Sequence, residues 1–204
     1  SSGSEEMGRV VEPPHEIISL DDYRKRYALY RSDEDLQNLH ASKPMIVVWD
    51  DHEFTNNTWK NGAQNHSDNE GKFEDRIYNA IKSYYEWMPI RENKNKLKIW
   101  RDFKVGNLFQ LLMLDTRYLY RDKQLNINSY INDGIIDKEK YRKDLLKKRS
   151  LLGAEQQSWI REKVSEKFKW SIFGQQLLIG PKHLPQLLRE YKSSELPNYL
   201  KNII

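Results

Sequence analysis

The 204-residue chain carries 34 Lys and Arg against 30 Asp and Glu, with 38% hydrophobic and 31% charged residues. That length supports one substantial core, and six Trp, twelve Tyr and six Phe supply enough large buriable surface to exclude a disordered polypeptide. The net charge of +4 is spread along the chain, so no dedicated nucleic-acid partner is predicted; the lack of cysteine excludes disulfides, thiolate metal sites and a cysteine nucleophile; no apolar run reaches the roughly 18 residues of a membrane span.

Residues 1–18 are expected to form an extended N-terminal segment with no signal-peptide pattern, ahead of one compact core over 19–204. Ser19, with Asp22 three residues on, reads as a capping box for an amphipathic helix whose apolar stripe is Leu20, Tyr23, Tyr27 and Tyr30. Ser32 and Asp35 repeat the signal for a second short helix ending near Ser42. Pro44 then opens a predicted buried strand, Met45 to Trp49. The Asn-rich stretch between Asn56 and Lys72 is too polar to pack and reads as a functional surface loop.

Phe73, Ile77, Ile81, Tyr84 and Met88 follow helical spacing up to Pro89, which stops the helix. Ile99 to Val105 and Leu108 to Leu114 flank Gly106-Asn107, a two-residue hairpin signal, and the second run is apolar enough for a central strand buried on both faces. Residues 116–150 read as a charged excursion over the surface. A helix over Gly153 to Phe168, with Trp159, Ile160 and Val164 on one face, leads to a strand at Lys169 to Phe173. This order of strands and helices predicts an α/β class.

The densest chemistry is WDDHE at 49–53, where a predicted strand runs out into a loop. Asp50, Asp51 and Glu53 offer hard oxygen ligands beside the His52 imidazole, a set suited to binding cations and moving a proton; the plain alternative is a solvated acidic loop. Adjacent residues on an extended chain point to opposite sides, so Asp50 and Asp51 are not expected to share a metal as equals. Asp115-Thr116-Arg117 also ends a predicted strand: Arg117 either pairs with the turn Asp or grips an oxyanion with its planar fork. Gln175-Gln176 closes the last strand, either satisfying backbone groups or lending an amide oxygen to a hard metal. His15, His40, His66 and His183 are expected in surface or packing roles, and Trp87, Trp100, Trp159 and Trp170 in the core.

As a set, LDDYRKRYALYRSDEDLQNLHASKP (20–44), VVWDDHEFTNNTWKNGAQNH (47–66), YYEWMPIR (84–91), LFQLLMLDTR (108–117), KKRSLLGAEQQSWI (147–160) and KWSIFGQQ (169–176) resemble the PhoD-type alkaline phosphatases of the metallophosphoesterase superfamily. The match runs from about Gly8 to about Pro181. The resemblance implies a calcium- and iron (Fe3+)-dependent hydrolase of phosphate monoesters and diesters, exported to the periplasm or medium, on a sandwich of mixed β-sheets flanked by helices. It places Asp51 at a metal-ligand position, His52 at the catalytic histidine, Glu53 at the acid that orients it, and Gln175 or Gln176 near a later strand-end metal ligand, with Asp50 as support or further ligand and Arg117 on the phosphate.

The family's earlier Asp and Tyr strand end and its later glycine-aspartate-x-histidine motif have no counterpart in the 204 residues. The expectation is therefore a central portion of such an enzyme, incomplete at both ends, with the remaining strands supplied by the rest of the native chain or by another polypeptide. The alternative is a phosphatase-like binding or structural domain that has lost catalysis.

Overall fold

The computed structural model describes residues 7–132 and 135–179. His183, the last residues of the motif match and the end of the expected 19–204 core lie outside the described residues. The chain divides into two units, one of residues 1–123 with 149–176 and one of residues 124–148 with 177–204. No helix among the described residues is long and apolar enough to cross a membrane.

In the first unit, residues 7–18 run without helix or strand, their carbonyls at Glu12 and Pro13 taken by the Arg26 guanidinium at 2.9 Å each. Helix α1 (Leu20–Arg31) starts at the expected box: Ser19 Oγ accepts from the Asp22 amide at 3.2 Å and Asp22 Oδ2 from the Ser19 amide at 2.9 Å. Tyr23 is buried, whereas Tyr30 faces solvent despite its spacing. Helix α2 (Glu34–Ser42) is capped by Asp33, not by the expected Ser32, because Ser32 is already spent as the C-cap of α1.

Helix α3 (Phe73–Trp87) buries Phe73, Ile77, Ile81 and Tyr84 of the expected stripe together with Ala80, while Met88, the last residue expected in it, caps the helix half-buried; Glu74 and Asp75 are favourably placed at the positive end of its dipole. It stops at Met88, whose extended backbone (φ −102°, ψ 126°) is what a residue before proline must adopt. Together with Tyr23, Trp49, Phe54, Ala63 and Ile99 this face forms the core.

Strands β1 (Arg101–Val105) and β2 (Phe109–Met113) pair antiparallel, Arg101 opposite Met113 and Val105 opposite Phe109. The turn between them has three residues, Gly106-Asn107-Leu108, not the expected two. Gly106 takes a left-handed φ of 51°, and Leu108 directs its carbonyl to the Trp170 amide at 3.1 Å instead of entering the β1 ladder. The chain later forms β5 (Trp170–Gly174), parallel to β2 with Phe109 opposite Trp170 and Met113 opposite Gly174. β2 is thus central, as expected, but its two faces are unequally covered: Gln110 and Leu112 are sealed off, while on the other face Met113 is buried and Phe109 and Leu111 are half-buried. Trp170, expected in the core, is 67% exposed on the edge strand.

The expected strand Met45 to Trp49 forms no ladder among the described residues. Its carbonyls go to side chains instead: Val47 accepts from Arg101 Nη2 and Trp49 from Gln176 Nε2. An extended segment pinned by side chains has no need of a neighbouring strand to satisfy those groups. Val164, expected on the packed face of the last helix, is 43% exposed; that helix (Gly153–Ser165, labelled α5 below) turns Gln156 inward instead.

In the second unit, residues 124–148 are more ordered than a plain excursion. A 3-10 turn (Ile127–Tyr130), a short ribbon of β3 (Ile131–Asn132) and β4 (Ile135–Ile136), and helix α4 (Lys138–Leu145) follow in order. Tyr130 meets the Tyr141 ring edge-on at 5.1 Å and its hydroxyl donates to Asp144 at 2.9 Å. Aromatic anchoring, invisible as periodicity, holds this charged stretch together.

Candidate functional site

Two parallel strands end side by side. Because β2 and β5 run parallel in register, the residues after them, Leu114-Asp115-Thr116-Arg117 and Gln175-Gln176, emerge at one edge, and the Leu114 amide donates to the Gly174 carbonyl at 2.8 Å. Gly174 allows this approach: a Cβ there would sit 2.4 Å from the Met113 sulfur. The 49–53 segment joins the same edge through Gln176, whose Nε2 donates to the Trp49 carbonyl at 2.6 Å and to the Leu114 carbonyl at 3.1 Å.

Trp49 anchors the motif from below. Its fully buried indole meets Phe54 at 5.3 Å and Tyr84 at 5.5 Å, both edge-on, contacts worth about 0.5–1.5 kcal/mol each beyond area burial. The chain then reverses in a turn closed by Phe54 N–H donating to the Asp51 carbonyl at 2.9 Å. His52 occupies the corner of that turn and is exposed. The Phe54 carbonyl accepts from the Tyr23 hydroxyl at 2.6 Å, and buried Arg76 donates in turn to that hydroxyl, to the Asn65 carbonyl and to Glu16. The loop is therefore strapped to α1 and α3 at both of its sides.

The four residues of the motif have different environments. Asp51 is buried and accepts from the Asn57 amide at 2.8 Å, with Arg117 Nη1 at 3.6 Å. Asp50 is half-buried and accepts from Arg117 Nε. Glu53, which the resemblance casts as the acid orienting His52, spends its Oε2 on the Asp50 amide. The His52 ring meets Asn56 Oδ1 at 3.2 Å instead, through Nε2. Burial pushes the Glu53 carboxyl above its ordinary value; the Asp50 amide opposes this and the Asp50 carboxylate adds to it. The reason for the exchange of partners is the tight turn, which carries Glu53 inward and His52 outward.

Asp115 is not free to reach a substrate. Its Oδ1 caps the amides of Arg117 at 2.9 Å and Tyr118 at 3.0 Å, and its own backbone is held by fully buried Gln156, which accepts from the Asp115 N–H and donates to the Asp115 carbonyl at 2.9 Å each. That cap aims Arg117 at Asp50 and Asp51. Of the two terminal glutamines, Gln176 has its whole amide engaged: besides its two donated bonds, Oε1 accepts from Thr116 N–H at 3.1 Å and Thr116 Oγ1 at 2.5 Å. The reading of this pair as satisfying backbone groups holds for Gln176.

Sequence reasoning passed over Arg121, Asn56, Gln156 and Thr116. Arg121 is buried, donates to the Thr58 carbonyl at 3.2 Å, and is held below its ordinary value by burial and by the neighbouring positive charge of Arg117. The four-residue spacing of Arg117 and Arg121 was a visible signal. The amides carried none, because what they bond is decided by strand ends remote in sequence. Among the described residues no group of three or more His, Asp or Glu comes together as a metal cluster.

A sequence model for the PhoD-like phosphatase family matches residues 1–196. Alkaline phosphatase D of Bacillus subtilis (strain 168) is 39% identical over 170 residues, covering 81% of this chain and 28% of that protein. The solved "Structure of PhoD" superimposes with a TM-score of 0.66 at 35% identity, over 84% of this chain and 32% of that one. The chain thus spans about a third or less of the length of these relatives, and its mixed α/β fold is that of a portion of a PhoD-type metallophosphoesterase. With the family matched over nearly its whole length, the chain belongs to the PhoD-like phosphatases.

Proposed function

We propose that this segment forms one wall of the active site of a phosphoester hydrolase. The observation that carries the reading is that the turn bearing the exposed His52 imidazole also bears two carboxylates, Asp50 and Asp51, on which the Arg117 guanidinium from the end of β2 lies. Hydrolysis needs water to attack phosphorus while the P–O bond to the leaving alcohol breaks. In this reading the imidazolium form of His52, its Nε2–H held by Asn56 Oδ1, gives its Nδ1 proton to the leaving alkoxide while the attacking water loses its proton to solvent, and Arg117 balances the charge on the phosphoryl oxygens. Glu53 acts indirectly, by holding the Asp50 amide and so the shape of the turn.

Calcium and ferric iron belong to the proposal only as far as the donors go. The carboxylates of Asp51 and Asp50 and the amide oxygen of Gln175 are hard ligands of the right chemistry. Their number is too small for a metal cluster among the described residues, and Asp51 already accepts from Asn57, so the steps assigned to this chain are those of His52 and Arg117 alone. That engagement of Asp51 favours a second reading, a phosphatase-like domain without catalysis. Metal content of the full-length native protein separates the two, since a stoichiometric cation supports the hydrolase.

The test is hydrolysis of an aryl phosphate and a diaryl phosphate by the full-length native protein, with calcium and ferric iron present at alkaline pH, beside its His52→Ala variant. A loss of about 10²–10⁴-fold in kcat is expected for the variant. Equal rates would remove His52 from the reaction, and an inactive wild type would remove the hydrolase reading.

A further inference from the structure

Gln176 makes four hydrogen bonds that tie its own segment to two others, reaching 127 residues back to Trp49 and, in the stretch after β2, 62 to Leu114 and 60 to Thr116. A carboxamide is planar, with two donors on one side and an acceptor on the other, so four good bonds specify where all three segments sit relative to one another. Each segment leads directly into the candidate site. Trp49 precedes the Asp50 to Glu53 turn, while Leu114 and Thr116 flank Asp115 and lead into Arg117. Among the described residues no backbone ladder joins the 45–49 segment to the sheet, so the Gln176 to Trp49 bond takes the place that a strand pairing would hold.

From this arrangement we propose that Gln176 is the positioning residue of the site. Its amide sets the distance between the Asp50 to His52 turn and the Arg117 fork, and it touches neither substrate nor reacting atoms. This rests on the phosphoester hydrolase reading. A displacement of about 1 Å between such groups is enough to cost on the order of 10²-fold in rate. Gln156 plays the corresponding part on one side only, bonding Asp115 and Leu152 of neighbouring segments. Of these two amides, it is Gln176 that ties the WDDHE turn to the strand ends.

The test uses the full-length native protein in three forms beside wild type. Gln176→Met keeps the volume and loses every bond. Gln110→Met removes a buried amide within the adjoining sheet, one that bonds Ser171 and the Lys163 carbonyl, and serves as the structural comparator. Thr116→Val removes only the hydroxyl bond to Gln176. For Gln176→Met the expected result is a kcat lowered about ten- to hundredfold with KM within about twofold, and hydrogen exchange at amides 50–57 faster by about tenfold. Thr116→Val should shift both readouts in the same direction by about threefold, which keeps the test open should Gln176→Met not fold. Gln110→Met should leave kcat and exchange at 50–57 within about twofold of wild type even where it lowers Tm as much.

Wild-type kcat in Gln176→Met, equal exchange changes in Gln110→Met, or a Thr116→Val protein indistinguishable from wild type would each overturn the inference. If the wild type hydrolyses no phosphoester, the functional reading fails on its own; the exchange measurement still decides whether Gln176 holds the turn.

Discussion

The Arg117 guanidinium donates its Nε–H to Oδ1 of Asp50, a residue 67 positions earlier in the chain. The same fork brings Nη1 to 3.6 Å from Asp51, so one cation spans two adjacent carboxylates that would otherwise repel across a half-buried turn. Arg117 is nearly buried and Asp50 about half-exposed, which places the pair between a surface ion pair and a desolvated one.

Arg117→Ala is expected to lower stability by about 1–2 kcal/mol, above the range of an exposed pair and below that of a fully buried one. Arg117→Lys keeps the charge and loses the fork, so it should recover the smaller part of that loss and little of the activity. Urea unfolding and kcat/KM for an aryl phosphate measure the two effects. A lysine variant as active as wild type would show that the planar geometry is unimportant.

His52 and Trp49 stand three residues apart with opposite expectations. His52 sits exposed at a turn corner, so His52→Ala should change stability by no more than about 0.5 kcal/mol while abolishing most activity. Trp49 is wholly buried among Phe54, Tyr84 and Tyr85, and Trp49→Ala should cost about 3–5 kcal/mol. Chemical denaturation of the two variants checks the contrast. Comparable losses in both would mean that the imidazole packs into the fold.

Glu53 supplies a pH signature. Its carboxyl is raised in the folded protein by burial, so the native state holds that proton more tightly than the unfolded chain, whose ordinary value is 4.5. The resulting stability is fully present below that value and is lost as pH rises through the folded one. Glu53→Gln keeps an acceptor for the Asp50 amide and has no charge to desolvate. Its stability relative to wild type should therefore improve from about pH 4.5 upward and then level off. Unfolding curves of both proteins from about pH 4 to 8 test this; a difference that is flat or reversed in sign would show that the carboxylate is well solvated.

Gly153 opens α5, the helix that carries Gln156 under Asp115. Its φ of 71° is disfavoured for any other residue, and a Cβ there would fall 2.3 Å from Tyr120 Cγ. Gly153→Ala is expected to destabilise by about 1–3 kcal/mol and to speed exchange at the Asp115 amide, whose acceptor is Gln156. A Tm equal to wild type would mean that the ring moves aside without cost.

The helices were legible because their signals are local. The Ser19–Asp22 box, the Phe73 to Tyr84 stripe and the stop at Pro89 each lie within a few residues of the backbone groups they govern. The α2 cap was misplaced by one residue because Ser32 served the end of the preceding helix, a competition visible only when both ends are built. The segment before WDDHE looked like a strand because it is apolar and follows a proline. A ladder, however, depends on a neighbour, and this segment's carbonyls are met by Arg101 and Gln176 from far along the chain.

From its own residues the chain determined its α/β order, its principal helices, its central strand and the density of acid and imidazole at 50–53. Periodicity, caps and turn residues act over one or two turns of backbone, and a motif is readable wherever it is contiguous. Tertiary structure alone decided which partner each of those side chains takes. Glu53 turned inward to the Asp50 amide, His52 outward to Asn56, Arg117 across to two aspartates, and Gln176 into the junction of three segments. These choices depend on the parallel register of β2 with β5 and on a turn too tight to leave Glu53 beside His52. Both arise between residues that sequence separates and only packing brings together.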